Sequence, residues 1–141
     1  MNKIHGMNKI KLCKGLTLVE LLIVLVIMGI LSAVSLQFYG NYVVAANRTD
    51  ARTGLTATAT ALEKCKALYG AYNNAACNAI IPATSAAGFY TITGTSTVVT
   101  YELTATPVTG EPQANDAECT SLTLSNTGIQ SGTGTTVSKC W

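Results

Sequence analysis

Residues 14–28 read KGLTLVELLIVLVIM: a lysine and a glycine, then an almost wholly aliphatic run that contains one acid. From Leu21 to Asn47 no residue carries a formal charge. A helix that crosses a bilayer needs about 20 apolar residues, so this stretch is long enough to span a membrane. It also exceeds the roughly 7–15 apolar residues of a secretory signal peptide, which favours a membrane helix over a simple export signal.

The charges on either side of this run are distributed unevenly. The residues before it hold four lysines and no acid: Lys3, Lys9, Lys11 and Lys14. This bias predicts that the leader lies on the cytoplasmic side and that the rest of the chain lies outside. After residue 15 there are five lysines and arginines against seven acids, a side-chain balance of −2. That balance argues against a broad basic surface for nucleic acid.

Glu20 is the acid at the start of the apolar run. A charged group near the centre of a membrane helix costs roughly 2.5–3.5 kcal/mol on insertion scales, and less near an end. Such residues are usually paired and functional. The alternative from position alone is an interfacial glutamate just outside the membrane.

The stretch 14–20, continued by residues 28–33, resembles the processing signature of type IV prepilins. In that family a basic leader precedes a glycine, an apolar residue and, at the fifth mature position, a glutamate. The resemblance implies that a prepilin peptidase cleaves between Gly15 and Leu16 and N-methylates the new amino terminus on Leu16. The chain departs from the family at Leu16, where phenylalanine is commonest, and at Gln37, where many relatives carry a proline. Met7 is an alternative start to Met1.

The same resemblance gives Glu20 a role in assembly. Cleavage creates an α-amino group on Leu16, one helical turn before Glu20, so the two can approach on one face. In a filament the Leu16 amine of a neighbouring subunit is the other partner. An unpaired carboxylate in an apolar bundle is costly, so this pairing would set the register and favour leaving the lipid.

The chain divides into a leader (1–15), a transmembrane and filament-core segment (16–47) and a globular head (48–141). One helix is predicted over roughly 16–69, since no strong breaker interrupts it. Its second half is amphipathic, and one face holds Leu55, Ala59, Leu62, Cys65 and Tyr69.

The head after the helix shows strand patterns. Residues 70–88 are rich in turn formers, residues 89–93 predict a strand and residues 94–96 a turn. A second strand places Val99, Tyr101, Leu103 and Ala105 on one buried face. Strands are also predicted at 119–125 and, as a short final edge, at 137–140. The fold class is therefore α+β, a long N-terminal helix packed on a small antiparallel sheet, as in type IV pilins.

Four of the five cysteines lie after the leader, an even set that predicts disulfides in a secreted head. Four cysteines allow three connectivities, which sequence alone does not distinguish. Cys65 with Cys77 is the local pairing, from the helix end to the following loop. Cys119 with Cys140 would then close a segment similar to the C-terminal disulfide loop of type IV pilins. The same region is similar to minor pilins of the PilE type.

The mature residues favour no enzyme and no cofactor. The sole histidine, His5, lies in the leader, which removes the usual histidine-dependent triads. The cysteines lack zinc spacing, so no metal is expected. For Asp116 and Glu118 a solvated acidic turn is favoured over a loop cation site, and for residues 131–134 a flexible loop is favoured over a phosphate-binding loop. Lys139 near the end is weak support for DNA contact.

The expected function is that of a structural subunit of a type IV pilus, with a minor pilin favoured over a major one. Such fibres support adhesion, twitching motility or DNA uptake. The expected partners are other pilin subunits, the prepilin peptidase, an inner-membrane assembly platform and, before assembly, membrane lipid. The chain would begin as a single-pass protein of the bacterial inner membrane and end in the extracellular pilus. The alternatives are a type II secretion pseudopilin and a one-span membrane protein with a secreted binding head.

Overall fold

The structure is a computed structural model that describes residues 17–141. Two α-helices, five strands and two short 3-10 helices follow in order. They are α1 (Leu18–Tyr69), α2 (Ala75–Asn78), β1 (Ala83–Thr84), β2 (Tyr90–Ser96), β3 (Tyr101–Pro107), a 3-10 helix (Pro112–Asn115), β4 (Ser121–Ser125), β5 (Gln130–Thr133) and a second 3-10 helix (Val137–Lys139).

The chain forms two compact units, one ending at Phe38 and the other running from Tyr39 to Trp141. We call the second unit the head. In the first unit the aliphatic side chains of α1 are exposed throughout Leu18–Val34. Within the described residues, α1 is the one helix long and apolar enough to cross a membrane. The functional boundary between residues 47 and 48 stays a prediction.

Within the head, one face of α1 packs against the sheet. Its buried residues are Ala51, Leu55, Ala59, Leu62 and Cys65. Their spacing of three or four residues keeps them on one side of a 3.6-residue helix. A Cβ added at Gly54 would lie 2.7 Å from Cδ1 of Ile92 in β2, so glycine allows the helix to approach the sheet closely here. The part of α1 within the head and the sheet therefore share one core.

The sheet is antiparallel throughout, with strand order β1-β2-β3-β4-β5. Its inward residues are Tyr90, Ile92, Tyr101, Leu103, Ala105, Leu122 and Leu124, all buried. The period-two alternation predicted for β3 and β4 holds, since successive strand residues face opposite sides. The predicted α+β fold, a long helix packed on a small antiparallel sheet, is confirmed.

Two residues placed on buried faces by periodicity are exposed instead. Tyr69 is 56% exposed because α1 ends there, at the edge of the core. Val99 is 62% exposed because it lies in the turn between β2 and β3, before the alternation begins. Both expectations extended a correct pattern beyond the buried part of its element.

Three local predictions about strands and turns are wrong. Residues 94–96 continue β2, where Gly94 fits because an added Cβ would lie 2.6 Å from the carbonyl oxygen of Glu102. Residues 131–133 belong to edge strand β5 and not to a flexible loop. Glycine is suited to position 132 because an added Cβ would lie 3.2 Å from the Cys140 sulfur. Residues 137–139 form a 3-10 helix instead of a final strand.

Candidate functional site

The predicted processing site, Gly15 and Leu16, lies outside the described residues, and its role stays a prediction. Glu20 lies in the first turn of α1 and is exposed. Its backbone N–H donates to the Thr17 hydroxyl at 3.2 Å. Thr17 and Glu20 have the spacing of a capping box, and a carboxylate is favoured at the positive N-terminal end of a helix. Sequence reasoning missed this role of Thr17, although the Thr-x-x-Glu pattern is visible in residues 17–20.

The four cysteines of the head lie in two adjacent pairs. The Sγ atoms of Cys65 and Cys77 are 2.04 Å apart, with Cα atoms 5.6 Å apart. Those of Cys119 and Cys140 are 2.12 Å apart, with Cα atoms 5.4 Å apart. These Cα separations are normal for disulfides. In this arrangement the first pair ties the end of α1 to α2, and the second brackets β4 and β5.

A buried arginine connects α1 with the C-terminal loop of the head. Arg48 is 4% exposed and makes a two-pronged ion pair with Asp116, Nε to Oδ2 at 2.6 Å and Nη2 to Oδ1 at 2.7 Å. Nη2 also donates to Glu118 at 3.0 Å. Asp116 accepts further hydrogen bonds from the Gln113 side chain and from the backbone N–H groups of Glu118 and Cys119. Its carboxylate is therefore buried and fully partnered.

This network extends to the surface. Lys139 Nζ lies 2.5 Å from Glu118, and Arg52 Nε donates to the carbonyl oxygen of Cys140 at 2.9 Å. The hydrogen bond to Asp116 raises the pKa of Arg48 above its ordinary value, although burial opposes the rise. The Lys139 ammonium, and then the Arg48 guanidinium, lower the pKa of Glu118. Two arginines one turn apart on α1 thus hold the Cys119–Cys140 segment.

The prediction of a solvated acidic turn is wrong for Asp116, whereas the Glu118 side chain remains 42% exposed. Asp116 is 4% exposed, and Glu118 is partly buried between two cations. Sequence reasoning missed the arginine partner because Arg48 and Asp116 are 68 residues apart, with no local pattern that connects them. A groove of about 790 Å³ lies beside the network, but its acids and bases are already paired with one another. The groove therefore offers no catalytic pair among the described residues.

A second exposed region forms where the turns of the head meet. We define the hairpin end as residues 69–74, 97–100 and 126–129. The Tyr72 N–H donates to the Val98 carbonyl at 3.3 Å, and the Asn126 side chain donates to the Val99 carbonyl at 3.5 Å. Val98, Val99 and Ile129 expose 53%, 62% and 67% of their surface here. These exposed apolar side chains make the hairpin end a candidate interaction surface.

One cation borders the hairpin end. Lys66 Nζ lies 4.2 Å from the ring centroid of Tyr72. The Tyr72 hydroxyl donates to Glu63 at 2.7 Å. Burial, and then this glutamate, raise the pKa of Tyr72 to about 12, so the phenol stays neutral near pH 7. The hairpin end thus presents three apolar side chains beside one lysine.

The described residues contain no group of His, Cys, Asp or Glu suited to a metal ion. The features that this part of the chain does present are an apolar helix with an acid in its first turn, two cysteine pairs, a loop clamped by arginines and an exposed hairpin end.

Two families match the chain. The family described as "Type IV minor pilin ComP, DNA uptake sequence receptor" matches residues 38–123, more than half of the sequence. The "Prokaryotic N-terminal methylation motif" matches residues 10–36. The two regions adjoin, and together they cover the helix and most of the head.

Among solved structures, the non-core minor pilin PilV of Neisseria meningitidis is similar in fold. The alignment has a TM-score of 0.53 and 21% sequence identity, and it covers 67% of this chain and 90% of PilV. At that identity the likeness concerns the fold alone. No curated protein matches the sequence.

Proposed function

This chain belongs to the type IV minor pilin ComP family, and on that premise we propose that it is a pilus subunit whose head binds double-stranded DNA for uptake. The observation that carries the proposal is the match over residues 38–123, because the description of that family names a receptor for DNA uptake sequences. DNA uptake is one of the three pilus roles that the prepilin resemblance implied.

The prediction of a type IV pilin, with a minor pilin favoured, is confirmed by the match to the minor pilin family. The chain is a structural subunit of a type IV pilus that assembles with other pilins. The match over residues 38–123 favours a pilin over a type II secretion pseudopilin and over a one-span membrane protein with a secreted binding head. Pilin families are structural, and we propose that this chain has no enzymatic activity.

We further propose the path by which the chain reaches the pilus. A prepilin peptidase cleaves between Gly15 and Leu16 and N-methylates Leu16, and the subunit then waits in the bacterial inner membrane. The assembly platform moves it into the filament. The match to the methylation motif over residues 10–36 supports this path.

The intact and N-terminal peptide masses of the protein from sheared pili test the processing and the disulfides. We expect an N-methylated Leu16 terminus. We also expect four hydrogens fewer than in the reduced chain, two for each cysteine pair. An intact leader would contradict the proposed cleavage, and free thiols would contradict the two disulfides. The same protein measured after reduction is the control.

DNA binding is tested with the full mature protein in detergent micelles. Duplexes enriched from a random-sequence library are expected to bind at least about 10³-fold more tightly than the unselected library. Fluorescence anisotropy of labelled duplexes measures both affinities. If no duplex is enriched and none binds above the unselected pool, the receptor function proposed here is wrong, although the pilin identity is unaffected.

A further inference from the structure

Few cations of the described head are free to meet DNA phosphates. Arg48 is buried against Asp116, and Lys139 is paired with Glu118. Arg52 is half-buried, with its Nε committed to the carbonyl oxygen of Cys140. Lys64 and Lys66 are the other cations between residues 39 and 141. The ion pairs seen only in the tertiary structure therefore leave one to three cations for phosphate contacts.

The outward face of the sheet adds no cation. Its side chains are Thr91, Thr93, Thr95, Glu102, Thr104, Thr106, Ser121, Thr123, Ser125, Ser131 and Thr133. Apart from Glu102, these are uncharged hydroxyls. Hydroxyls hydrogen-bond to phosphate oxygens, but they release no counterions and so add nothing to the salt dependence of binding.

The number of free cations sets the expected salt dependence of DNA binding. For double-stranded DNA, the logarithm of the affinity falls with the logarithm of the salt concentration, with a slope of about −0.9 for each neutralised phosphate. One to three contacts give a slope of about −1 to −3, against −6 or steeper for a protein that makes seven or more.

The hairpin end offers uncharged contacts to the bases of DNA, in place of contacts between cations and phosphates. The major groove is about 12 Å wide and admits a two-stranded β-ribbon. The β2–β3 hairpin is a pair of antiparallel strands with Val98 and Val99 exposed at its tip, beside the turn that holds Asn126. Apolar side chains distinguish thymine by contact with its methyl group. Lys66, beside Tyr72 at the same end, is positioned for one phosphate.

We propose that this head recognises double-stranded DNA mainly through uncharged contacts at the hairpin end, with Val98 and Val99 against thymine methyl groups and Lys66 on a phosphate. The proposal rests on the DNA-binding function proposed above. Beyond DNA binding itself, it predicts that the affinity depends only weakly on salt concentration. It also predicts that a small apolar surface contacts the bases.

Fluorescence anisotropy of the full mature protein with its selected duplex, between about 50 and 200 mM salt, tests this inference. The expected log–log slope lies between about −1 and −3. Val98→Ser/Val99→Ser is expected to weaken binding of the selected duplex by about tenfold and of random duplex much less, because phosphate contacts remain. Lys66→Ala is expected to weaken both duplexes alike and to reduce the slope by about 1.

Matched controls separate these effects from general damage. Val137→Ser removes an exposed valine of the C-terminal 3-10 helix and is expected to bind as wild type. Lys64→Ala removes a lysine that is two residues from Lys66 and so points away from it around α1; its slope is expected to be unchanged. A slope of −6 or steeper, or equal losses from the valine pair and Val137→Ser, would overturn the inference while leaving DNA binding intact. Absence of binding at every salt concentration would overturn both proposals.

Discussion

Arg48→Ala is expected to lower the free energy of unfolding of the head by about 3–5 kcal/mol, because it leaves the buried Asp116 carboxylate without a cation. The guanidinium makes three short bonds to two acids, and both members of the central pair are almost fully buried. Urea unfolding of the full chain in detergent, followed by the fluorescence of its single tryptophan, Trp141, measures the change. Trp141 donates its indole N–H to Ser131 in β5, so its emission reports on the C-terminal loop.

Two variants show whether the buried charge is the cause. Arg52→Ala removes a neighbouring arginine that is half-buried and donates only to the backbone carbonyls of Cys140 and Lys139, with an expected loss of about 1 kcal/mol. Arg48→Met/Asp116→Asn removes both charges and keeps an oxygen that accepts the N–H groups of Glu118 and Cys119. It is expected to be more stable than Arg48→Ala, since no charge is left unpaired. Equal losses for Arg48→Ala and Arg52→Ala would show that the ion pair does not hold the loop.

Glu20→Gln is expected to reduce incorporation of the subunit into pili by about a hundredfold. The substitution keeps the size and the helix position of the side chain but removes the charge proposed to pair with a Leu16 amine. Loss of a partnered charge in an apolar bundle costs about 3 kcal/mol, which corresponds to the hundredfold reduction in incorporation. Quantitative immunoblots of sheared pili and of membranes from the same cells measure the pilus fraction.

The N-terminal mass of the membrane-bound Glu20→Gln protein separates assembly from processing. A cleaved and methylated terminus with little protein in pili would place the defect in assembly. Glu102→Gln is the matched control, because it neutralises an exposed glutamate of the sheet and leaves the helix unchanged. Wild-type levels of Glu20→Gln in pili would remove the proposed role of this carboxylate.

The long helix and the inner faces of the central strands were readable from sequence because their signals are local. An uncharged apolar run, residues spaced three or four apart on α1 and alternation in β3 each reflect the geometry of one element. The processing motif is also continuous in sequence, so the family resemblance needed no fold. Errors occurred at element ends: the buried face of α1 stops at Cys65, four residues before Tyr69, and the buried face of β3 begins at Tyr101, two residues after Val99.

The tertiary structure alone brought Arg48 to Asp116 and the turns of the hairpin end to one surface. Neither arrangement has a local signature, because each depends on how α1, the sheet and the C-terminal loop pack together. The fold class, the family resemblance and the small number of cations in the mature chain could all be read from the sequence. Which of those cations remain free for DNA depends on ion pairs between distant residues, since only packing brings such charges within reach.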